Sequence, residues 1–174
     1  MADIPLELIK QLRELTGAGV MDCKRALEAT DANLQKAVEF LREQGIASAA
    51  KKANRVAAQG VVESYIHAGG RIGVIVEVNC ETDFVARTPD FQALAREVAM
   101  QIAAMNPAVV REEDLPEDAE PTEGEPVLLN QPYIRDAGKT IRELINETIG
   151  RTGENIQVKR FSRFELGEGT SEKA

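Results

Sequence analysis

The stretch that decides the fold is VVESYIHAGGRIGVIVEVNC, residues 61–80. Two runs rich in β-branched residues flank Ala68-Gly69-Gly70, and paired glycines tolerate the positive φ angles of a tight turn. The second run alternates apolar side chains, as a half-buried strand does. These are Ile72, Val74, Val76 and Val78. The stretch therefore predicts an antiparallel β-hairpin.

Beyond the hairpin, residues 89–105 place apolar side chains at helical spacing and end at Asn106-Pro107, where proline disfavours a further turn of helix. This pattern predicts a helix that covers one face of the hairpin. Residues 137–150 repeat the helical period, and residues 155–166 return to a strand-like run. An antiparallel sheet backed by two helices is the simplest assembly of these elements.

Between the two predicted helices, residues 111–126 are dense in acids and prolines and contain few apolar side chains. Such a composition is typical of a mobile loop rather than a core element. We therefore expect an α+β core domain over residues 56–174 that carries this acidic loop.

On the amino-terminal side, three short helical patterns lie within about 45 residues. Thr16-Gly17-Ala18-Gly19 separates the first helix from the second, which covers residues 20–29, and Thr30-Asp31 precedes the third, which runs to Gly45. The alanine-rich stretch IASAAKKANRVAAQG, residues 46–60, suits a helical connector. Residues 1–55 are thus predicted to form a three-helix bundle with its connector.

Composition narrows the classes of function. The chain has 174 residues with 43% hydrophobic and 29% charged side chains, and its net charge is −8. This charge disfavours binding to nucleic-acid phosphates, and no apolar run approaches the length that spans a bilayer. The amino terminus lacks the pattern of a secretory signal, so we expect a cytoplasmic location. Two cysteines, Cys23 and Cys80, have no metal-ligand spacing and are read as buried structural thiols.

An acid and an aromatic residue lie where a polar connection is expected, in Thr82-Asp83-Phe84-Val85 between the second strand and the helix at Pro89. In one interpretation Asp83 caps a turn and Phe84 folds under that helix. In the other, Phe84 is an exposed aromatic anchor for a partner protein. The local residues alone favour the first interpretation.

Three stretches together resemble bacterial elongation factor Ts, the family of guanine-nucleotide exchange factors for elongation factor Tu. They are LTGAGVMDCKRALEATDANLQKAVEFLREQG (residues 15–45), EVNCETDFVAR (residues 77–87) and RFELGEG (residues 163–169). The resemblance implies a ubiquitin-associated-like bundle at residues 1–55. It also implies that the loop containing Thr82, Asp83, Phe84 and Val85 enters the GTPase domain of elongation factor Tu, displaces Mg²⁺ and promotes GDP release.

The same resemblance implies that Arg13, Val20 and Met21 contact another helix of that GTPase domain. From the residues alone, Met21 is read as a core residue, and a solvated Arg13 would look the same. Val20 follows Gly19 at a helix start, where exposure is plausible.

The chain is similar to the short members of the family, because it has material for only one core subdomain. Pairing of two chains would supply the second copy, so we expect a homodimer through the core domain. Apolar residues beyond the needs of a small sheet support this expectation weakly: Ile141, Leu144, Ile145, Ile149, Phe161 and Phe164.

The chief rival interpretation is an adaptor, since a bundle of this size resembles ubiquitin-associated modules that only dock a partner. A hydrolase with paired acids is more remote, because the acidic pairs lie in polar loops. The glycines at residues 69–73 lie in a hairpin without the helix that would cradle a phosphate. The sequence therefore predicts no catalytic residues, no metal site and no cofactor.

Overall fold

The computed structural model describes residues 4–118 and 124–168. The chain divides into two compact units, residues 1–55 with 146–155, and residues 56–145 with 156–174. Helices and a small antiparallel sheet together confirm the predicted α+β class.

Three helices form most of the first unit: α1 (Leu6–Thr16), α2 (Val20–Ala29) and α3 (Leu34–Lys52). The side chain of Asn33 caps α3 by accepting a hydrogen bond of 3.0 Å from the Lys36 amide. The bundle core consists of fully buried side chains: Leu12, Cys23, Ala26, Leu27 and Ala37. Burial also raises the pKa of the Cys23 thiol.

The third helix is longer than predicted. Its last two turns are the alanine-rich stretch that was expected to be a separate connector, so bundle and connector share one continuous helix. Alanine has the highest helix propensity, and no glycine or proline interrupts residues 46–52. Gly45, at the predicted boundary, lies inside the helix, so this single glycine does not end it.

The first unit also contains residues 146–155, which the sequence pattern assigned to the core domain. They include the second half of α6 (Ile141–Thr152). A Cβ added to Gly150 would lie 3.7 Å from the Gly45 Cα, so α3 and α6 approach closely where neither has a side chain. Asn155 Nδ2 donates to the carbonyl oxygens of Ala53 at 3.3 Å and Arg55 at 2.8 Å. These bonds hold the end of α3.

The predicted hairpin is confirmed. Strands β1 (Gln59–Ile66) and β2 (Ile72–Cys80) pair antiparallel, and β5 (Gln157–Glu165) adds to the other edge of β2, giving the order β1-β2-β5. The turn uses positive φ angles of 89° at Gly69 and 69° at Gly70. A left-handed backbone of this kind favours glycine.

One face of this sheet is covered by α5 (Pro89–Met105), as predicted. The helix buries Phe91, Leu94, Val98 and Ile102 while the sheet buries Val74, Val76 and Val78. Asn106 ends the helix with a left-handed φ of 44°. These facing apolar side chains are the core of the second unit.

The predicted helix over residues 137–150 begins later, at Ile141. Residues Asp136–Thr140 instead form strand β4, which pairs with β3 (Pro132–Tyr133). Thr140 Oγ1 accepts from the Glu143 amide at 3.3 Å, and Glu143 Oε2 accepts from the Thr140 amide at 2.8 Å. This reciprocal capping box sets the start of α6.

A buried amide pair attaches the β3–β4 hairpin to α5. Gln101 Nε2 donates to Gln131 Oε1 at 3.1 Å, and Gln101 Oε1 accepts from the Ile134 amide at 2.9 Å. Nearby, the Tyr133 hydroxyl donates to Glu97 Oε2 at 2.6 Å. Burial and this acidic partner raise the pKa of Tyr133 to about 12, so its hydroxyl keeps its proton.

The acidic loop is anchored at its start. Residues Glu112–Asp114 form a 3₁₀ turn, and Arg111 Nη2 donates to the Val158 carbonyl oxygen at 3.1 Å. This part of the loop is therefore tied to β5, whereas a mobile loop was predicted from composition. Residues 119–123 of the predicted loop lie outside the described residues.

Replacing Gly60 should destabilise the second unit strongly. Gly60 has a φ of 147°, and an added Cβ would lie 2.1 Å from the Val78 carbonyl oxygen. We expect Gly60→Ala to lower the free energy of unfolding by about 3 kcal/mol or more, measured by urea denaturation.

Gly69→Ala is the matched control, because an added Cβ there meets nothing within 4 Å. It should cost only about 1–2 kcal/mol, the strain of a left-handed backbone alone. Equal losses in the two variants would show that the contact with β2 is unimportant.

Candidate functional site

Three residues of the Thr82–Val85 segment, Asp83, Phe84 and Val85, lie in a one-turn helix rather than an irregular loop, and Thr82 directly precedes that helix. This helix, α4 (Asp83–Ala86), connects β2 to α5. The Thr82 side chain caps it by accepting a hydrogen bond of 3.3 Å from the Val85 amide. Just before it, the buried Cys80 thiol donates to the Thr82 carbonyl oxygen at 3.1 Å. The segment thus leaves the sheet in one defined direction.

A single hydroxyl joins α4 to the helix that follows. Thr88 Oγ1 donates to the Val85 carbonyl oxygen at 2.8 Å and accepts from the Phe91 amide at 3.3 Å. Thr88 is therefore the N-cap of α5, and its hydroxyl adds a second hydrogen bond to the Val85 carbonyl, which also accepts from the Thr88 amide at 2.9 Å. The orientation of α4 consequently depends on α5.

Side chains of α4 point in two directions. Val85 and Ala86 are buried, at 6% and 5% exposure, whereas Phe84 is 77% exposed. The interpretation in which Phe84 folds under the helix at Pro89 is wrong, because Phe91 fills the core there. An aromatic side chain held away from its own core is available to a partner.

The exposed side of α4 also carries charge. The Asp83 carboxylate accepts a hydrogen bond of 2.8 Å from Arg87 Nη2, and both side chains are mostly exposed. Together with Phe84, Thr88 and Pro89 they line a shallow, open groove. A ring, a carboxylate and a guanidinium thus share one small surface.

In the first unit, the last turn of α1 carries Arg13, and the first turn of α2 carries Val20 and Met21. All three residues are exposed. Met21 is 65% exposed, so its interpretation as a core residue is wrong. These exposed side chains are thus two apolar groups on α2 and one cation on α1.

Leu15 is a further exposed residue on α1, although it lies at helical spacing from Leu8 and Leu12. The buried side of α1 is centred on Ile9 and Leu12. Leu15 lies at the edge of that stripe, one residue from the end of the helix. The sequence does not show which residues form the centre of the apolar stripe. The exposure of Leu15 therefore could not be predicted from it.

Residues 4–118 and 124–168 contain no cluster of three or more His, Cys, Asp or Glu side chains that could hold a metal ion. In the same part of the chain, the helices fall short of the length and apolar character needed to cross a membrane.

The protein family described as Elongation factor TS matches residues 8–125 of the chain. The chain belongs to the elongation factor Ts family. The match includes both surfaces described above. Membership implies nucleotide exchange for elongation factor Tu in translation elongation.

Elongation factor Ts proteins from several bacteria are similar along nearly their whole length. The chain is 48% identical to that of Desulforamulus reducens, with 99% of this chain and 94% of the relative covered. It is 50% identical to that of Heliobacterium modesticaldum, covering 95% and 91%. For Synechococcus elongatus the identity is 51%, covering 97% and 90%.

Removing the Thr88 hydroxyl should loosen the junction of α4 and α5. We expect Thr88→Ala to lower the free energy of unfolding by about 1–2 kcal/mol, because the N-cap of α5 and the bond to Val85 are both lost. Thr88→Ser keeps the hydroxyl and should lose less than half as much. Urea denaturation of both variants tests this, and equal losses would assign the effect to the methyl group.

Proposed function

We propose that this protein is a guanine-nucleotide exchange factor that acts on elongation factor Tu in the cytoplasm through the exposed side of α4. The observation that carries the proposal is the exposure of Phe84 on a helical turn whose two ends are hydrogen-bonded to the core. No covalent bond is made or broken in such an exchange. The protein is therefore not an enzyme in the chemical sense.

The chemistry follows from how GTPases hold GDP. Backbone amides of a phosphate-binding loop and a Mg²⁺ ion bind the phosphates, and Mg²⁺ demands a nearly ideal octahedral shell at about 2.1 Å. Insertion of Asp83 and Phe84 into a crevice beside that site shifts the groups that orient the metal's water ligands. Mg²⁺ is lost, the phosphate charge is less neutralised, and GDP dissociates faster.

The four residues of the predicted contact have different parts in this mechanism. Phe84 and Asp83 face outward and contact the GTPase domain. Val85 is buried and Thr82 caps the helical turn, so these two hold the turn in place. A rigid turn loses less conformational entropy on binding than a flexible loop.

A comparison of free energies shows that the contact made by α4 is too weak to account for exchange alone. Accelerating GDP release by about a thousandfold requires roughly 4 kcal/mol of differential stabilisation. Burying one phenylalanine contributes roughly 1.5–3 kcal/mol. We assign the remainder in part to Arg13, Val20 and Met21, whose exposed side chains form a second contact with elongation factor Tu.

Removing the two outward side chains of α4 should abolish most of the exchange activity. Asp83→Ala combined with Phe84→Ala should slow stimulated release of labelled GDP from elongation factor Tu by about a hundredfold. The reason is that the double variant loses both an apolar anchor and a polar contact. Both residues are exposed, so the thermal stability should stay within a few degrees of the parent. Stopped-flow fluorescence measures the release.

Met105→Ala is the control, because Met105 is also exposed but lies at the opposite end of α5, about 25 Å of helix away. It should exchange at the parent rate. A double variant as active as the parent would refute the role of α4. A parent that binds elongation factor Tu without speeding GDP release would favour the adaptor interpretation.

The outer face of the sheet supports a homodimer. Exposed apolar side chains from all three strands lie on the side away from α5: Val62, Ile66, Ile75 and Phe164. At one end of this outer face Arg160 Nε lies 2.8 Å from Glu77 Oε2 and lowers the pKa of that carboxyl. An apolar face with a polar border is typical of protein interfaces. A second copy supplies the same face by two-fold symmetry.

Of the six apolar residues that weakly supported the expected dimer, Phe164 is the exposed one. Ile141, Ile145 and Ile149 are buried within the chain, whereas Leu144 and Phe161 are half-buried. The apolar surface that suggested a dimer therefore belongs to the outer face of the sheet, with one residue in common with the earlier set.

A charge in the middle of the outer face should dissociate the dimer. Ile75 lies on the central strand, opposite Ser64 on one side and Ser162 on the other. We expect Ile75→Glu to convert a dimer to a monomer at micromolar concentration, because each copy would bring an unpaired carboxylate into the apolar interface. Val56→Glu, at an exposed residue outside the sheet, should remain dimeric. Sedimentation velocity measures the oligomeric state of each protein, and a monomeric parent would rule out the dimer.

A further inference from the structure

Arg87 has a geometry that the stability of the fold does not explain. It follows the last residue of α4, and its amide donates to the Phe84 carbonyl oxygen at 3.2 Å. Its side chain extends back over the turn, so that Nη2 lies 2.8 Å from Asp83 Oδ2. The side chains of Arg87 and Asp83 are 79% and 64% exposed. An ion pair so exposed contributes little to folding.

We propose that Arg87 is a positioning residue for exchange, which orients the Asp83 carboxylate for its contact with elongation factor Tu. This inference rests on the proposed function. Arg87 holds Oδ2, and no other described residue donates to Asp83. The oxygen Oδ1 therefore remains to accept a hydrogen bond from the partner.

The spacing of the pair suits this role. An acid placed four residues before a cation is the favourable orientation of an ion pair along a helix. A single turn of helix restrains Asp83 weakly, since it has no neighbouring turn on which the side chain could pack. The ion pair removes rotamer freedom before the partner arrives, so less entropy is lost when the complex forms.

The pair also defines the chemistry of the group that Asp83 meets. Arg87 already neutralises the carboxylate, and a second cation in the same groove would be repelled by the guanidinium. An uncharged donor, such as a backbone N–H or a side-chain amide, meets no such repulsion. The contact on elongation factor Tu is therefore an uncharged N–H or O–H group.

A double-mutant cycle in the full-length protein tests the proposal. Stimulated release of labelled GDP is measured by stopped flow for Arg87→Gln, Asp83→Asn and their combination. Exposed pairs of this kind have coupling strengths that correspond to about a twofold to fivefold effect. We expect Arg87→Gln to slow release by that factor in the parent, and by less than about 1.5-fold when Asp83→Asn is already present. Arg87→Lys should recover part of the rate.

A charge exchange, Asp83→Arg with Arg87→Asp, separates positioning from helix stability. It restores an ion pair along the turn but removes the carboxylate from residue 83. We expect urea denaturation close to that of the parent, and release as slow as that of Asp83→Asn. Recovery of the parent rate would overturn the proposal, because the pair would then act through stability alone.

Two other results would also overturn it. An unchanged rate in Arg87→Gln would show that Asp83 needs no orientation. An equal loss from Arg87→Gln with and without Asp83→Asn would show that Arg87 contacts the partner directly. Failure of the proposed function looks different, because the parent protein itself would then leave GDP release unaccelerated.

Discussion

The packing of α5 against the inner face of the sheet is the interaction on which the candidate site depends. It buries Phe91, Val98 and Ile102 against the central strand, and it fixes the start of the helix at Pro89. Because β2 ends at the buried Cys80, only residues 81–88 are available to connect the end of the strand to the start of α5. Burial of Val85 within that turn leaves Phe84 on the outside. The exposure of one aromatic ring is thus a consequence of how the core is closed.

The parts of the fold that sequence predicted are those in which local pattern and tertiary packing agree. The β1–β2 hairpin and α5 have unambiguous periods and clear turn or cap residues at their ends. The start of α6 was predicted too early because residues 137–140 show no pattern that argues against a helix. Thr140 and Glu143 nevertheless form a recognisable capping box. Periodicity shows that a helix has a buried face, but not which element covers it. Periodicity therefore could not predict that residues 146–155 pack with the bundle.

The candidate site shows the same division. Local residues favoured a folded-back Phe84, and only the resemblance to the elongation factor Ts family indicated an exposed ring. The structure places that ring outside while Val85, its neighbour in the same motif, is buried. In the proposed function, the motif therefore combines residues that contact a partner with residues that hold the contact in place. Sequence alone does not separate these roles, because each group contains one polar and one apolar residue.

A one-turn helix is a suitable support for the proposed contact with another protein's metal site. A flexible loop could reach the same crevice, but ordering its backbone would cost about 1–2 kcal/mol per residue. That cost would consume most of the free energy that a buried phenylalanine contributes. Here Cys80, Thr82 and Thr88 already hold the turn in place through hydrogen bonds to its backbone. Under the proposed exchange mechanism, most of the binding free energy of Phe84 and Asp83 thus remains for distorting the partner's nucleotide site, the step that would release GDP.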